Sequence, residues 1–244
     1  MSQLHFIGGE KGGVGKTVMA RVLAQYFIDH QWPFTGFDTE QNQGAFTRFY
    51  RDFAVPAPID HFEGLDQIAE IYEKHPGHYN VLVDLAARTA DPLARWIEES
   101  ELFDLLTDMN VQPYFWHVME NVADSVSLLT RLLDTYGTNP SYVLVLNEGR
   151  SESFDIFEHS DVHQRALEIG ANIIHLPRLH ENTMTKVDRN NASFWGAIHN
   201  EEPAHLTLSM MERRRAKTWL ARAYEQLEKL DFLNPNLAEN NDKK

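Results

Sequence analysis

Apolar residues fall along this chain in short solid runs separated by segments with helical spacing. The runs lie at 3–8 (QLHFIG), 32–38 (WPFTGFD), 79–86 (YNVLVDLA), 111–119 (VQPYFWHVM), 141–149 (SYVLVLNEG) and 171–179 (ANIIHLPRL), and each predicts a strand. After the first run and a glycine-rich loop, Val18, Val22, Leu23, Tyr26 and Phe27 recur on one helical face. Further helices are predicted over NVADSVSLLTRLLDTYG and around DVHQRALEIG. Strands alternating with helices predict an α/β fold, a mostly parallel sheet with helices on both faces. Ligands in such sheets bind beyond the carboxyl ends of the strands, so the chemistry is expected there.

Near the end of the chain the periodicity changes character. Over about 206–230, Leu208, Met211, Trp219, Leu220, Ala223, Leu227 and Leu230 suggest an amphipathic helix, with Arg213, Arg214, Arg215, Lys217 and Arg222 making its first half basic. The tail NPNLAENNDKK is polar and expected to fray. At 244 residues and 43% hydrophobic, the chain fits one domain over 1–233, with 234–244 as that tail. The absence of cysteine excludes disulfides, thiolate metal sites and cysteine nucleophiles. No stretch of 18 apolar residues and no leader pattern occurs, so a soluble cytoplasmic protein is expected, with no membrane contact. A formal charge of -14 confines any nucleic-acid contact to a local patch, and the basic helix is the candidate. Its plainer reading is a solvated face of a helix packed on the body.

The chemistry concentrates in IGGEKGGVGKT, Ile7 to Thr17. Gly12, Gly13 and Gly15 let the backbone turn sharply between strand and helix, so that its N–H groups, with those of Val14 and Val18, face an anion. Lys16 adds charge and Thr17 a hydroxyl suited to magnesium. Glu10 stands where the strict phosphate-loop pattern has glycine, and is expected to point outward, away from phosphates. Two acidic stations lie opposite: Asp84 at the end of VLVD, and Asp38 with Glu40 in FDTEQNQ, two residues apart. Elsewhere, His159 and His163 have i, i+4 spacing but lack the glutamate of a zinc-protease motif, so a surface helix pair is expected. Tyr114, Phe115 and Trp116 read as core, and no G-x-S-x-G nucleophile elbow is present.

Together, KGGVGKT, the pair Asp38 and Glu40, and VLVD ending at Asp84 resemble the deviant Walker A ATPases of the ParA and MinD type. Within that group, DTEQNQGAF, LVLN ending at Asn147, IIHLPRLHENT and the basic helix look most like the TraL or MobD-type conjugal-transfer and mobilisation proteins. The resemblance implies ATP and magnesium as ligands and an ATP-dependent homodimer. In it, Lys16 holds the β and γ phosphates, Thr17 ligates magnesium, Asp38 and Asp84 support the magnesium shell, and Lys11 crosses the interface to the partner's phosphates. It also implies that Glu40 positions the attacking water, that Asn147 contacts adenine, that an activating or cargo protein is met, and that the basic residues bind DNA nonspecifically. Glu40 is longer than the family's aspartate, which puts the hydrolysis rate in question, and an Asn turn in NEG is an equal reading of Asn147. Two other readings stay open: a nucleotide-gated adaptor with little hydrolysis, and a metabolic P-loop enzyme such as an amidotransfer-linked synthase. A nitrogenase-type reductase is excluded for want of cluster cysteines.

Overall fold

The computed structural model describes residues 1–40, 44–59, 61–200 and 208–235. Its first half runs β1 (Ser2–Gly8), α1 (Lys16–Asp29), β2 (Phe34–Asp38), α2 (Ala45–Phe49), β3 (Ala54–Pro56), α3 (Phe62–Lys74), β4 (Asn80–Asp84), α4 (Ala90–Glu99) and α5 (Leu102–Asp108). The second half runs β5 (Val111–Met119), α6 (Ala123–Tyr136), β6 (Ser141–Asn147), α7 (Asp155–Glu158), α8 (Asp161–Glu168), β7 (Asn172–Leu176), α9 (Glu181–Arg189), α10 (Phe194–His199) and α11 (Met210–Leu227), then a 3-10 turn at Asp231–Leu233.

The strands form one seven-stranded sheet in the order β3-β2-β4-β1-β5-β6-β7. Every neighbouring pair is parallel. Side chains alternate between two cores, as strand geometry requires. On β5, Tyr114, Trp116 and Val118 join the core under α1, α2 and α9 to α11, while Phe115 and Met119 join the core under α3 to α8. The three consecutive aromatics therefore fill both layers, as expected of core. β1 lies centrally between β4 and β5, so the loop after it opens at the carboxyl edge of the sheet.

β3 is the strand that periodicity did not predict. It spans three residues, includes Pro56 and lies at the sheet's edge, where a missing N–H is tolerated. α1 is buried more completely than one apolar face requires, because Arg21 and Gln25 are buried as well.

α11 begins at Met210, later than expected, because Ser209 and Glu212 form a reciprocal capping box there. Leu206 and the tail from 236 onward lie outside the described residues. Ala216, Trp219, Leu220, Ala223 and Leu227 form the buried stripe of α11, and Trp219 Nε1 donates to Pro177 O at 2.6 Å. Met211, expected on that stripe, is 54% exposed: the stripe extends back from Ala216 to position 212, and Met211 is turned away from it.

Candidate nucleotide-binding site

The loop between β1 and α1 turns through three glycines of positive φ, Gly9 (φ 127), Gly13 (φ 81) and Gly15 (φ 109). Gly15 is the N-cap of α1, and a Cβ there would lie 2.3 Å from Asn147 Nδ2. A Cβ at Gly12 or Gly13 would meet nothing, so this part of the loop faces open space with its backbone bare. Lys16 opens α1 and is only 8% exposed. Its ammonium donates to Gly9 O at 3.2 Å and Lys11 O at 3.0 Å. Burial lowers its pKa, opposed by the carboxylates of Asp84, Glu40 and Glu10. Such a lysine gains most from an anion brought to it.

The parallel register places Ile7, Asp38 and Asp84 side by side at the ends of β1, β2 and β4. Asp84 is 4% exposed, and its Oδ1 is buried with no hydrogen-bond partner among the described residues. Burial pushes its pKa up to about 7, with Asp38 and Glu40 adding to the rise and the Thr17 hydroxyl bond and Lys16 opposing it. A buried carboxyl oxygen without a partner, beside a hydroxyl, supplies oxygen donors of the kind that fit a divalent cation.

Asp38 lies equally deep but is differently engaged. Its Oδ2 accepts from Thr47 N at 3.0 Å and Thr47 Oγ1 at 3.2 Å, and its Oδ1 from Glu40 N at 3.1 Å. Here it pins α2 and the turn after β2 while still lining the cleft. The packing is close: a Cβ at Gly44 would lie 2.0 Å from Asp38 Oδ1. Thr39, which sequence reading passed over, joins the two acidic strand ends. Its N–H and hydroxyl donate to Asp84 O at 3.1 and 3.2 Å, and its hydroxyl accepts from Ala86 N at 2.8 Å.

The phosphate loop, Lys16, Thr17, Asp38 and Asp84 line an open cleft of about 1140 Å³ together with Glu40, Arg48 and Arg150. The two arginines were missed because one lies on a helix too short to show periodicity and the other lies in a turn. Asn147 accepts from Gly149 N at 2.9 Å, the turn that is one of its two readings, and its amide also donates to Val14 O at 2.6 Å, which locks the phosphate loop. Val14 is buried and Val18 half-buried.

The two irregular loop residues are held within the chain. Lys11 Nζ is 2.6 Å from Glu120 Oε1, and this bond raises the lysine pKa. Glu10 points away from the cleft, as expected, but does not simply face solvent: it accepts the Ala90 N–H at 2.8 Å and lies 3.5 Å from Arg131 Nη1.

Other candidates separate. His159 caps the end of α7 whereas His163 lies in α8, because Ser160 starts a new helix between them; they are not one helix pair. Among the described residues no group of side chains suited to holding a metal by histidine, cysteine and carboxylates alone occurs, and no helix is long and apolar enough to cross a membrane. Arg214, Arg215, Lys217 and Arg222 are exposed on α11, and Arg213 is half-buried.

No protein-family model matches the sequence. Protein TraL of Escherichia coli is 24% identical over 246 residues, which cover 93% of this chain and 98% of that protein. Among solved structures, the septum site-determining protein MinD of Pyrococcus horikoshii OT3, complexed with Mg-ADP, superposes with a TM-score of 0.53 at 11% identity, covering 92% of this chain and 95% of that one. The cell division ATPase MinD of Pyrococcus furiosus gives 0.52 at 13% identity, covering 93% and 100%. The chain thus has the P-loop fold of the MinD-type ATPases and is similar to TraL along nearly its whole length.

Proposed function

We propose that this protein binds ATP with magnesium in the cleft, dimerises around two nucleotides and hydrolyses ATP slowly, serving conjugal transfer, mobilisation or another positioning task. The observation that carries the reading is the unpartnered Asp84 Oδ1 beside Thr17 and Lys16, beneath a glycine loop open to the cleft. Lys16 exchanges two carbonyl partners for phosphate oxygens, which offer both charge and acceptors. Thr17 and Asp84 would hold magnesium, which supplies charge stabilisation to the phosphates. Asp38 and Thr39 fix the walls. Glu40, exposed in the cleft, is the group to orient the attacking water. Arg150 lies at the cleft wall nearest Asn147 in sequence, where the base would be met.

In this proposal Lys11 leaves Glu120 to reach the partner's phosphates, so ATP favours the dimer and ADP the monomer. The similarity to TraL supports a role in transfer. Steady-state phosphate release with Lys16→Ala as control, paired with light scattering in ATP and in ADP, tests both parts. Turnover equal to the control defeats the ATPase, and an unchanged mass defeats the switch.

A nucleotide-gated adaptor is favoured by one observation, the longer Glu40 side chain, and Glu40→Asp decides it: hydrolysis faster by about tenfold is expected if reach is what limits the rate. The basic side of α11 supports a nonspecific DNA contact. Arg178, Arg214, Arg215 and Arg222 line one groove of about 650 Å³. A gel shift with ATP that weakens steeply with salt is the expected result.

A further inference from the structure

α4 has no side-chain cap of its own. Its N-cap residue, Thr89, has helical backbone angles (φ -99, ψ 0), and its hydroxyl is turned back to Ala86 O at 2.9 Å. The missing acceptor comes from the phosphate loop: Glu10 Oε1 accepts the N–H of Ala90, the first residue of α4, at 2.8 Å. A carboxylate there also meets the positive end of the helix. Glu10 Oε2 lies 3.5 Å from Arg131 Nη1 on α6, and the other terminal nitrogen of Arg131 binds Asp91 in the first turn of α4. One loop side chain therefore ties α4 and α6 together.

The same loop segment is gripped from the nucleotide side. Lys16 holds the carbonyls of Gly9 and Lys11, the two residues that flank Glu10. A lysine that turns to a phosphate releases both carbonyls at once. Beneath the tie lies a small, largely apolar cavity of about 80 Å³ between α4, α6 and the sheet, lined by Leu85, Leu93, Phe115, Leu132 and Tyr136 among others. α4 thus has room to shift when its cap is loosened.

We infer that Glu10 is a positioning residue that couples occupancy of the phosphate loop to the N-terminus of α4. This rests on the nucleotide-binding reading above and extends it: the residue that breaks the strict glycine pattern is the mechanical link from Lys16 to the α4–α6 layer. A capping contact of this kind governs local opening by a factor of about five.

Amide hydrogen exchange at Ala90 and through the first turn of α4 tests this on the full chain, with and without Mg·ATP, alongside calorimetry of nucleotide binding. In the unmodified chain, exchange at Ala90 rises about fivefold on binding. In Glu10→Ala it is already fast and changes less than about twofold, whereas Glu10→Gln, which keeps the acceptor, retains the response. A nucleotide response in Glu10→Ala equal to that of the unmodified chain, or loss of the response in Glu10→Gln, overturns the coupling. So does binding by the unmodified chain with unchanged or slower exchange at Ala90. No calorimetric binding by the unmodified chain overturns the nucleotide reading and the coupling with it.

Discussion

Replacing Asp84 with asparagine should stabilise the fold while removing its chemistry. The carboxyl is buried at the end of β4, one oxygen lacks a partner, and burial holds its pKa near 7, well above the ordinary 3.8. The sign follows from proton linkage. Between those two values the folded chain keeps a proton that the unfolded chain has released, so the stabilisation is complete below the unfolded value and is lost as pH rises through the folded one. The interval, at about 1.36 kcal/mol per pH unit, sets an upper limit of about 4 kcal/mol for the cost of the ionised group at pH 8. Relaxation and water entry reduce it, and a gain of about 1–3 kcal/mol for Asp84→Asn is expected. The attraction of Lys16 already opposes the rise, so its loss lies within that figure. Urea unfolding at pH 8 and at pH 5, both in chelator, measures the difference, since other titrating groups cancel between the two chains. A variant no more stable than the unmodified chain at pH 8, or equally stabilised at both pH values, refutes the reasoning. Mg·ATP should then raise the midpoint of the unmodified chain and leave Asp84→Asn nearly unmoved.

Three further substitutions probe the contacts that hold α1, α2 and the phosphate loop in place. Gly44→Ala puts a methyl 2.0 Å from Asp38 Oδ1 at ordinary backbone angles, so it should cost about 1–3 kcal/mol in urea unfolding and weaken nucleotide binding; a neutral result would show that Asp38 does not pin α2. Arg21→Met removes a guanidinium that is 2% exposed, held 3.6 Å from the Phe49 ring centroid and 4.6 Å from that of Phe194, and bonded to Asp188 at 2.8 Å. Because Asp188 is half-exposed and stays hydrated, a loss of about 2–3 kcal/mol by thermal or chemical melting is expected, and one below about 1 kcal/mol would contradict it. Asn147→Ala frees the loop from Val14 O and leaves Gly149 N unpaired, so stability should fall by about 1–2 kcal/mol. Nucleotide affinity should fall with it, and unchanged affinity by calorimetry would remove Asn147 from the site.

The alternation of six apolar runs with helical spacing was enough to reveal a parallel sheet, because strands buried on both faces are continuous in sequence. Their ends were less legible. Leu85, and Leu179 beyond Pro177, are buried without being in strands, so the apolar runs overshoot β4 and β7. β3 was invisible because an edge strand of three residues has no period to read. At the site, Lys16, Thr17 and Asp84 were legible from a motif and a strand end. The partners of Glu10, Lys11 and Asp38 were not, since each depends on a contact made by the fold: Ala90, Glu120 and the α2 backbone, respectively. Asp38 and Asp84 look alike in sequence. They differ because Thr47 and the Glu40 N–H are brought to one and, among the described residues, nothing to Oδ1 of the other.

Everything proposed for this protein depends on whether the loop binds a nucleotide through Lys16. Calorimetric titration of the chain with Mg·ATP, repeated on Lys16→Ala, asks that directly. The account predicts saturable binding by the unmodified chain that weakens about a hundredfold or more in the variant, as loss of a buried charge-assisted contact implies. Binding of equal strength in both chains, or none in either, would contradict it.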